Sequence, residues 1–151
     1  MKIEFNRPTI YVSHPIRGTT GKIKDNCEKV ERAVHRLRKL FPEVDWYVPA
    51  EHDLTLQILT AADKLSIDDV MFADLQILNA CHGWFFYQFD DSNGSEIEAE
   101  QAVLIGLISP GTNYRIRYSI EKANNNILRK DFTPIVEEAV ERFRNVSAYR
   151  M

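Results

Sequence analysis

The chain has 151 residues, 44% of them hydrophobic and 27% charged, with a formal net charge of −3. That length suits one compact domain, residues 1–151, with its own core, and the mixed composition excludes a disordered or fibrous chain. The acidic balance argues against a binder of nucleic-acid polymer but leaves room for a small anionic ligand, whose site needs only a few donors.

The cysteines, Cys27 and Cys81, match no metal spacing and read as buried thiols of a reducing cytosol. The N-terminal stretch has no apolar core of signal-peptide length, and charged residues interrupt every apolar run before it reaches membrane-spanning length. A cytoplasmic protein without membrane contact is the expectation.

In chain order, Thr9-Ile10-Tyr11-Val12-Ser13 reads as a buried strand. It runs into a loop rich in Gly, Pro and Thr over residues 14–21. Residues 25–40 have helical spacing, with an apolar stripe at Cys27, Val30, Val34 and Leu37 that continues to Phe41. Arg32, Arg36, Arg38 and Lys39 read as its solvated face, and Pro42 stops it. A second short strand covers residues 45–48. Two helices follow, over 54–65 and from 67 onward, the latter capped by Ser66 with Asp69 three residues later. Its apolar face holds Val70, Met71, Leu75 and Leu78, and Asp74 shares that face. Residues 83–89 give the strongest strand signal, ended by a turn at 90–94. A helix is expected over 95–107, weaker strands over 114–119 and 126–128, and a last amphipathic helix over 132–143. Alternating strands and helices predict a flavodoxin-like or Rossmann-like α/β three-layer sandwich around a mainly parallel five-stranded sheet. Ligands of such sheets bind beyond the carboxyl ends of the strands, here the loops over 13–21 and 90–95.

Glu98 is expected in the first turn of its helix, where the helix terminus favours the ionised form. It shares a face with Ala102 and Ile105, which turns it inward, whereas Glu96 and Glu100 point elsewhere. Asp74, among apolar neighbours, needs a partner or a role because burying an unpaired charge is costly. Two inward carboxylates from different elements suit glycosidic chemistry. Backbone N–H groups, hydroxyls and a guanidinium over Pro15-Ile16-Arg17-Gly18-Thr19 are the parts of a phosphate cradle, and Ser92 and Gly94 lie at the other strand end. The histidines do not cluster as metal ligands, and no metal or organic cofactor is implied.

Four segments in order resemble the nucleoside 2-deoxyribosyltransferase-like superfamily, nearest to its 2'-deoxynucleoside 5'-phosphate N-hydrolases and CMP N-glycosidases. They are Ile10-Tyr11-Val12-Ser13-His14-Pro15-Ile16-Arg17-Gly18, Tyr47-Val48-Pro49-Ala50-Glu51-His52, Asp74-Leu75-Gln76-Ile77-Leu78-Asn79-Ala80, and Ser92-x-Gly94-x-x-x-Glu98-x-x-x-Ala102. The resemblance implies an N-glycosidase of nucleoside 5'-monophosphates that works as a homodimer. In it Glu98 is the nucleophile, Asp74 its partner, and Ser13, Pro15, Ile16, Arg17, Gly18, Thr19, Ser92, Gly94 and His52 bind substrate or phosphate. Trp46, Tyr47 or Trp84 would stack the base. His82, Ile97 and His14-Pro15 depart from the family pattern, and Ser119, Asn124, Asn125 and Asn126 are candidates for completing a neighbouring subunit's site. Base exchange by a 2-deoxyribosyltransferase, cleavage of NAD, and a non-catalytic nucleotide sensor are the alternative readings.

Overall fold

The structure, a computed structural model, describes residues 3–52, 66–109 and 111–149. The helix expected over 54–65 lies outside the described residues. The elements run β1 (Thr9–Ser13), α1 (Ile23–Leu40), β2 (Asp45–Tyr47), a 3-10 turn (Pro49–Glu51), α2 (Ile67–Ala80), β3 (Gly83–Tyr87), α3 (Asn93–Leu104), β4 (Arg115–Ile116) and α4 (Asn125–Tyr149).

The described strands form one parallel sheet in the order β2-β1-β3-β4. Every residue of β1 and β3 is buried, as expected of central strands covered on both faces. Side chains alternate between two layers. Trp46 and Phe85 turn to the layer of α1 and α4, where they meet Phe132 edge-on. A Cβ at Gly83 would lie 3.1 Å from Ala139 and 3.2 Å from Ile10, so glycine lets α4 close on the sheet. Tyr11 and Ser13 turn the other way, toward α2 and α3. The described residues form an α/β fold with helices on both faces, compatible with a Rossmann-like fold, around one hydrophobic core.

Three expectations change. The sheet has four strands among the described residues, not five, because residues 126–128 open α4 instead of forming a strand. Ile127 is 41% exposed while Leu128 is fully buried, and Leu128, Phe132, Ile135, Val136 and Ala139 repeat at helical spacing. Pro134 lies inside this helix. Pro134 and Lys130, whose carbonyl finds no N–H there, are both exposed, so the lost bond falls on the solvent side of the helix. The strand expected over 114–119 shrinks to Arg115–Ile116 at the sheet edge.

The basic face of α1 is also not simply solvated. Arg36 donates to the Ile120 and Ala123 carbonyls and to Asn125 Oδ1. Arg38 pairs with Glu51 and reaches the Trp46 carbonyl, and Arg32 pairs with Glu121. Arginine suits this because its planar fork donates several bonds at once. Cys27 is half-buried rather than buried, while Cys81 is buried; neither is joined in a disulfide.

The reciprocal capping box at Ser66 and Asp69 forms as the sequence predicts, at 3.1 Å and 3.0 Å. Ser66→Ala should cost about 1 kcal/mol of stability, read as a lower urea midpoint with an unchanged slope. An unchanged midpoint would mean that α2 does not depend on its cap.

Candidate active site

Glu98 is 5% exposed and sits where α3 crosses the carboxyl ends of β1 and β3. Its burial follows from the helix face that also buries Ser95, Ala99 and Ala102. The Tyr11 hydroxyl donates to Glu98 Oε2, and the Ser13 hydroxyl donates to Oε1 at 2.9 Å. Trp84 Nε1 in turn donates to Ser13 Oγ at 2.7 Å. Ser13 therefore spends its one proton on the carboxylate while its lone pair is held by the indole, which fixes the hydroxyl rotor. Two residues of one strand, i and i+2, thus hold both oxygens of a carboxylate from the opposing helix.

Asp74, on α2, is 8% exposed. Its charge acts through space on Glu98, Tyr11 and Tyr47 and favours the protonated form of each. Glu98 is pushed up from 4.5 to about 7, first by burial and also by Asp74, against the pull of the Tyr11 and Ser13 hydrogen bonds. This corrects the expectation of a fully ionised glutamate. The helix begins at Asn93, with Ser92 as its cap, so Glu98 lies in the second turn, beyond the reach of the helix terminus. Tyr11 is held well above its ordinary value, again first by burial, so it stays a hydrogen-bond donor.

The loop after β1 is tightly built. Asn26 Nδ2 donates to the Ile16 and Arg17 carbonyls, and the Gly21 N–H returns to the Arg17 carbonyl. Pro15 is buried, Ile16 half-buried, and Arg17 and Thr19 exposed. Gly18 has φ +56°, the left-handed region that favours glycine. The Arg17 guanidinium has no hydrogen-bond or ion-pair partner among the described residues, whereas the Thr19 N–H donates to Asp90 Oδ2 at 2.7 Å.

Ser92 caps α3: its Oγ accepts from the Ser95 N–H at 3.2 Å and its hydroxyl donates to Ser95 Oγ at 2.9 Å. Gly94 lets α2 approach, since a Cβ there would lie 3.1 Å from the Met71 methyl. His52 is exposed and stacks on Tyr47 with ring centroids 5.0 Å apart; Tyr47 stacks in turn on Tyr11 at 5.4 Å. Of the aromatic candidates, Tyr47 alone belongs to a stack leading outward. Trp46 is packed in the opposite layer and Trp84 is committed to Ser13.

The structure thus joins Glu98 and Ser13 directly and brings Asp74 within Coulombic reach. It leaves Arg17, Gly18 and Thr19 in a separate loop with Asp90. Sequence reasoning missed Tyr11 and Asp90, and it offered Trp84 as a base-stacking ring where the structure has it donate to Ser13. Tyr11 was hidden because its hydroxyl sits at the tip of an aromatic ring that reads as core. His14 is a structural group: Nε2 accepts from the Ala50 N–H at 3.2 Å, and burial pushes it down to about 4. His82 likewise accepts the Thr9 N–H through Nδ1.

Among the described residues, no three His, Cys, Asp or Glu side chains gather as metal ligands would, and no helix is long and apolar enough to cross a membrane. No family model matches the chain, and neither a curated protein nor a solved structure is significantly similar to it.

Proposed function

We propose that this chain hydrolyses the N-glycosidic bond of a nucleoside 5'-monophosphate, releasing free base and pentose 5-phosphate. The observation that carries the reading is the buried Glu98 carboxylate, gripped by Tyr11 and Ser13 with Asp74 beside it at the strand ends. The strand order β2-β1-β3-β4 supports a flavodoxin-like reading, in which the β1–β3 boundary is the topological switch point where a ligand would bind.

Ionised Glu98 attacks the anomeric carbon, and the electrons of the carbon–nitrogen bond leave with the base. Asp74 orients the sugar hydroxyls and Glu98, while the departing base takes its proton from water. Water then adds to the same carbon, giving up a proton to the Asp74 carboxylate, and the carbon–oxygen bond to Glu98 breaks to return it as a carboxylate. Arg17, Gly18 and Thr19 take the phosphate, with the backbone of Ser13, Pro15 and Ile16 shaping the loop and Ser92 and Gly94 at its other edge. His52 offers its outer ring face to the base. The same reading takes the chain as a cytoplasmic homodimer. The exposure of Phe72 on α2 and of Ile97, Val103 and Leu104 on α3 supports a partnered face.

The test is incubation with each nucleoside monophosphate and mass spectrometry for free base and for a pentosyl phosphate adduct on the Glu98 peptide. Asp74→Asn should lower kcat by about 100-fold. Absence of base release from every monophosphate would sink the proposal.

A further inference from the structure

The loop proposed to hold the phosphate already holds an anion, and that anion belongs to the chain itself. Asp90 follows β3 and reaches across to the loop after β1. Its Oδ2 accepts the Thr19 N–H at 2.7 Å, and both its oxygens lie 3.0 Å from the Thr19 hydroxyl. A Cβ on Gly18 would fall 2.2 Å from Asp90 Oδ2, so the carboxylate presses against bare backbone. The carbonyls of Ile16 and Arg17 are tied back by Asn26, which leaves the N–H side of the loop facing Asp90. A left-handed glycine followed by an inward N–H and a hydroxyl is a setting that selects negative charge. The carboxyl of Asp90 is accordingly held below its ordinary value, first by the Thr19 N–H and then by the Asp91 N–H.

A phosphate and this carboxylate need the same donors and repel each other, so they exclude one another. Asp90 is only partly buried and is anchored by Thr19 and its own neighbour Asp91, so it can swing out without unfolding an element. Arg17 supplies a cation that nothing among the described residues claims by hydrogen bond or ion pair. We propose that Asp90 is a built-in occupant of the phosphate seat, an autoinhibitory plug that the 5'-phosphate of the substrate displaces on binding.

This inference rests on the glycosidase reading for the identity of the displacing ligand, but its mechanism is testable with inorganic phosphate alone. In the resting protein the seat is blocked, so the measured affinity is the intrinsic one reduced by the fraction of open seats. Asp90→Asn keeps an acceptor for the Thr19 N–H and removes the charge. Asp90→Ala removes both and guards against a neutral amide that still fills the seat.

Phosphate binding to the full chain is measured by calorimetry and by the Gly18 and Thr19 amide resonances. Both variants should bind phosphate about tenfold more tightly than wild type. Adding Arg17→Ala to either should cancel the gain. Affinity that is unchanged or weaker in both folded variants overturns the proposal, as does a phosphate response that bypasses Gly18 and Thr19. Tighter phosphate binding without base release from any monophosphate supports the plug and rejects the glycosidase reading. Base release with no gain in phosphate affinity does the reverse.

Discussion

Glu98→Gln is expected to abolish base release and, at pH 8, to make the folded protein more stable. The first effect follows from losing the nucleophile and should be on the order of 10⁴-fold or more in kcat. The second follows from the cost of the buried charge. Folded Glu98 keeps its proton up to about 7, whereas its ordinary value is 4.5. Between those values the folded state binds more protons than the unfolded chain, so stability falls as pH rises. Above pH 7 the full cost is roughly 3 kcal/mol, since one pKa unit is worth 1.36 kcal/mol. Glutamine has the same shape, accepts from Tyr11, and carries no charge, but it cannot satisfy Ser13 as the carboxylate does. That leaves a net gain of about 2 kcal/mol at pH 8, or about 4–8 °C in Tm. The gain should vanish below about pH 4.5, where folded and unfolded glutamate are both protonated. Thermal melts of both proteins from pH 4 to pH 9 measure it. If Glu98→Gln is less stable than wild type at pH 8, the carboxylate is a structural group and the catalytic reading loses its main physical support.

Such a cost explains why the pair of carboxylates is informative. A buried glutamate with a second acid beside it, and with only hydroxyl donors bonded to it among the described residues, is not what stability alone would select. Active sites are where such arrangements persist.

Elements with one unambiguous period were legible in the sequence. The run through Tyr11 and the aromatic run through Phe85 are strands because both of their faces are covered, and α1 follows its stripe at Val30, Val34 and Leu37. The segment around Ile127-Leu128 was not legible. Two apolar neighbours fit a short strand as well as a helix. Only the long-range alignment of Leu128 with Phe132 and Ile135 decides it, and that is a property of the packed layer.

The candidate site divides in the same way. Helical spacing alone turned Glu98 and Asp74 inward, and both are buried. The hold of Tyr11 on Glu98 spans 87 residues and depends on how α3 lies over β1, so no local pattern announces it. Asp90 read as a turn residue because its partner, Thr19, is 71 residues away. Glu98 itself was misjudged in charge for a local reason: the helix starts at Asn93, but desolvation outweighs any help from that end.

Tyr11→Phe and Asp74→Asn should move the pH dependence of catalysis in opposite directions. A nucleophile works as the anion, so kcat/KM of the wild type should rise with pH through about 7 and level off above it. The Tyr11 hydrogen bond opposes the upward push of burial on Glu98. Hydrogen bonds to charged groups are worth about 1.5–3 kcal/mol, so losing this one should shift the inflection upward by about one to two pH units. The Asp74 charge pushes the other way, and its removal should bring the inflection below that of the wild type. Tyr11 does not itself titrate in this range, because burial and the neighbouring acids hold its proton. Both profiles are read at saturating and subsaturating substrate, which separates the free enzyme from the complex. A rate that instead falls as pH rises through about 7 would mean that protonated Glu98 is the working form, making it the acid that delivers a proton to the base. Attack on the anomeric carbon would then have to come from water or from Asp74.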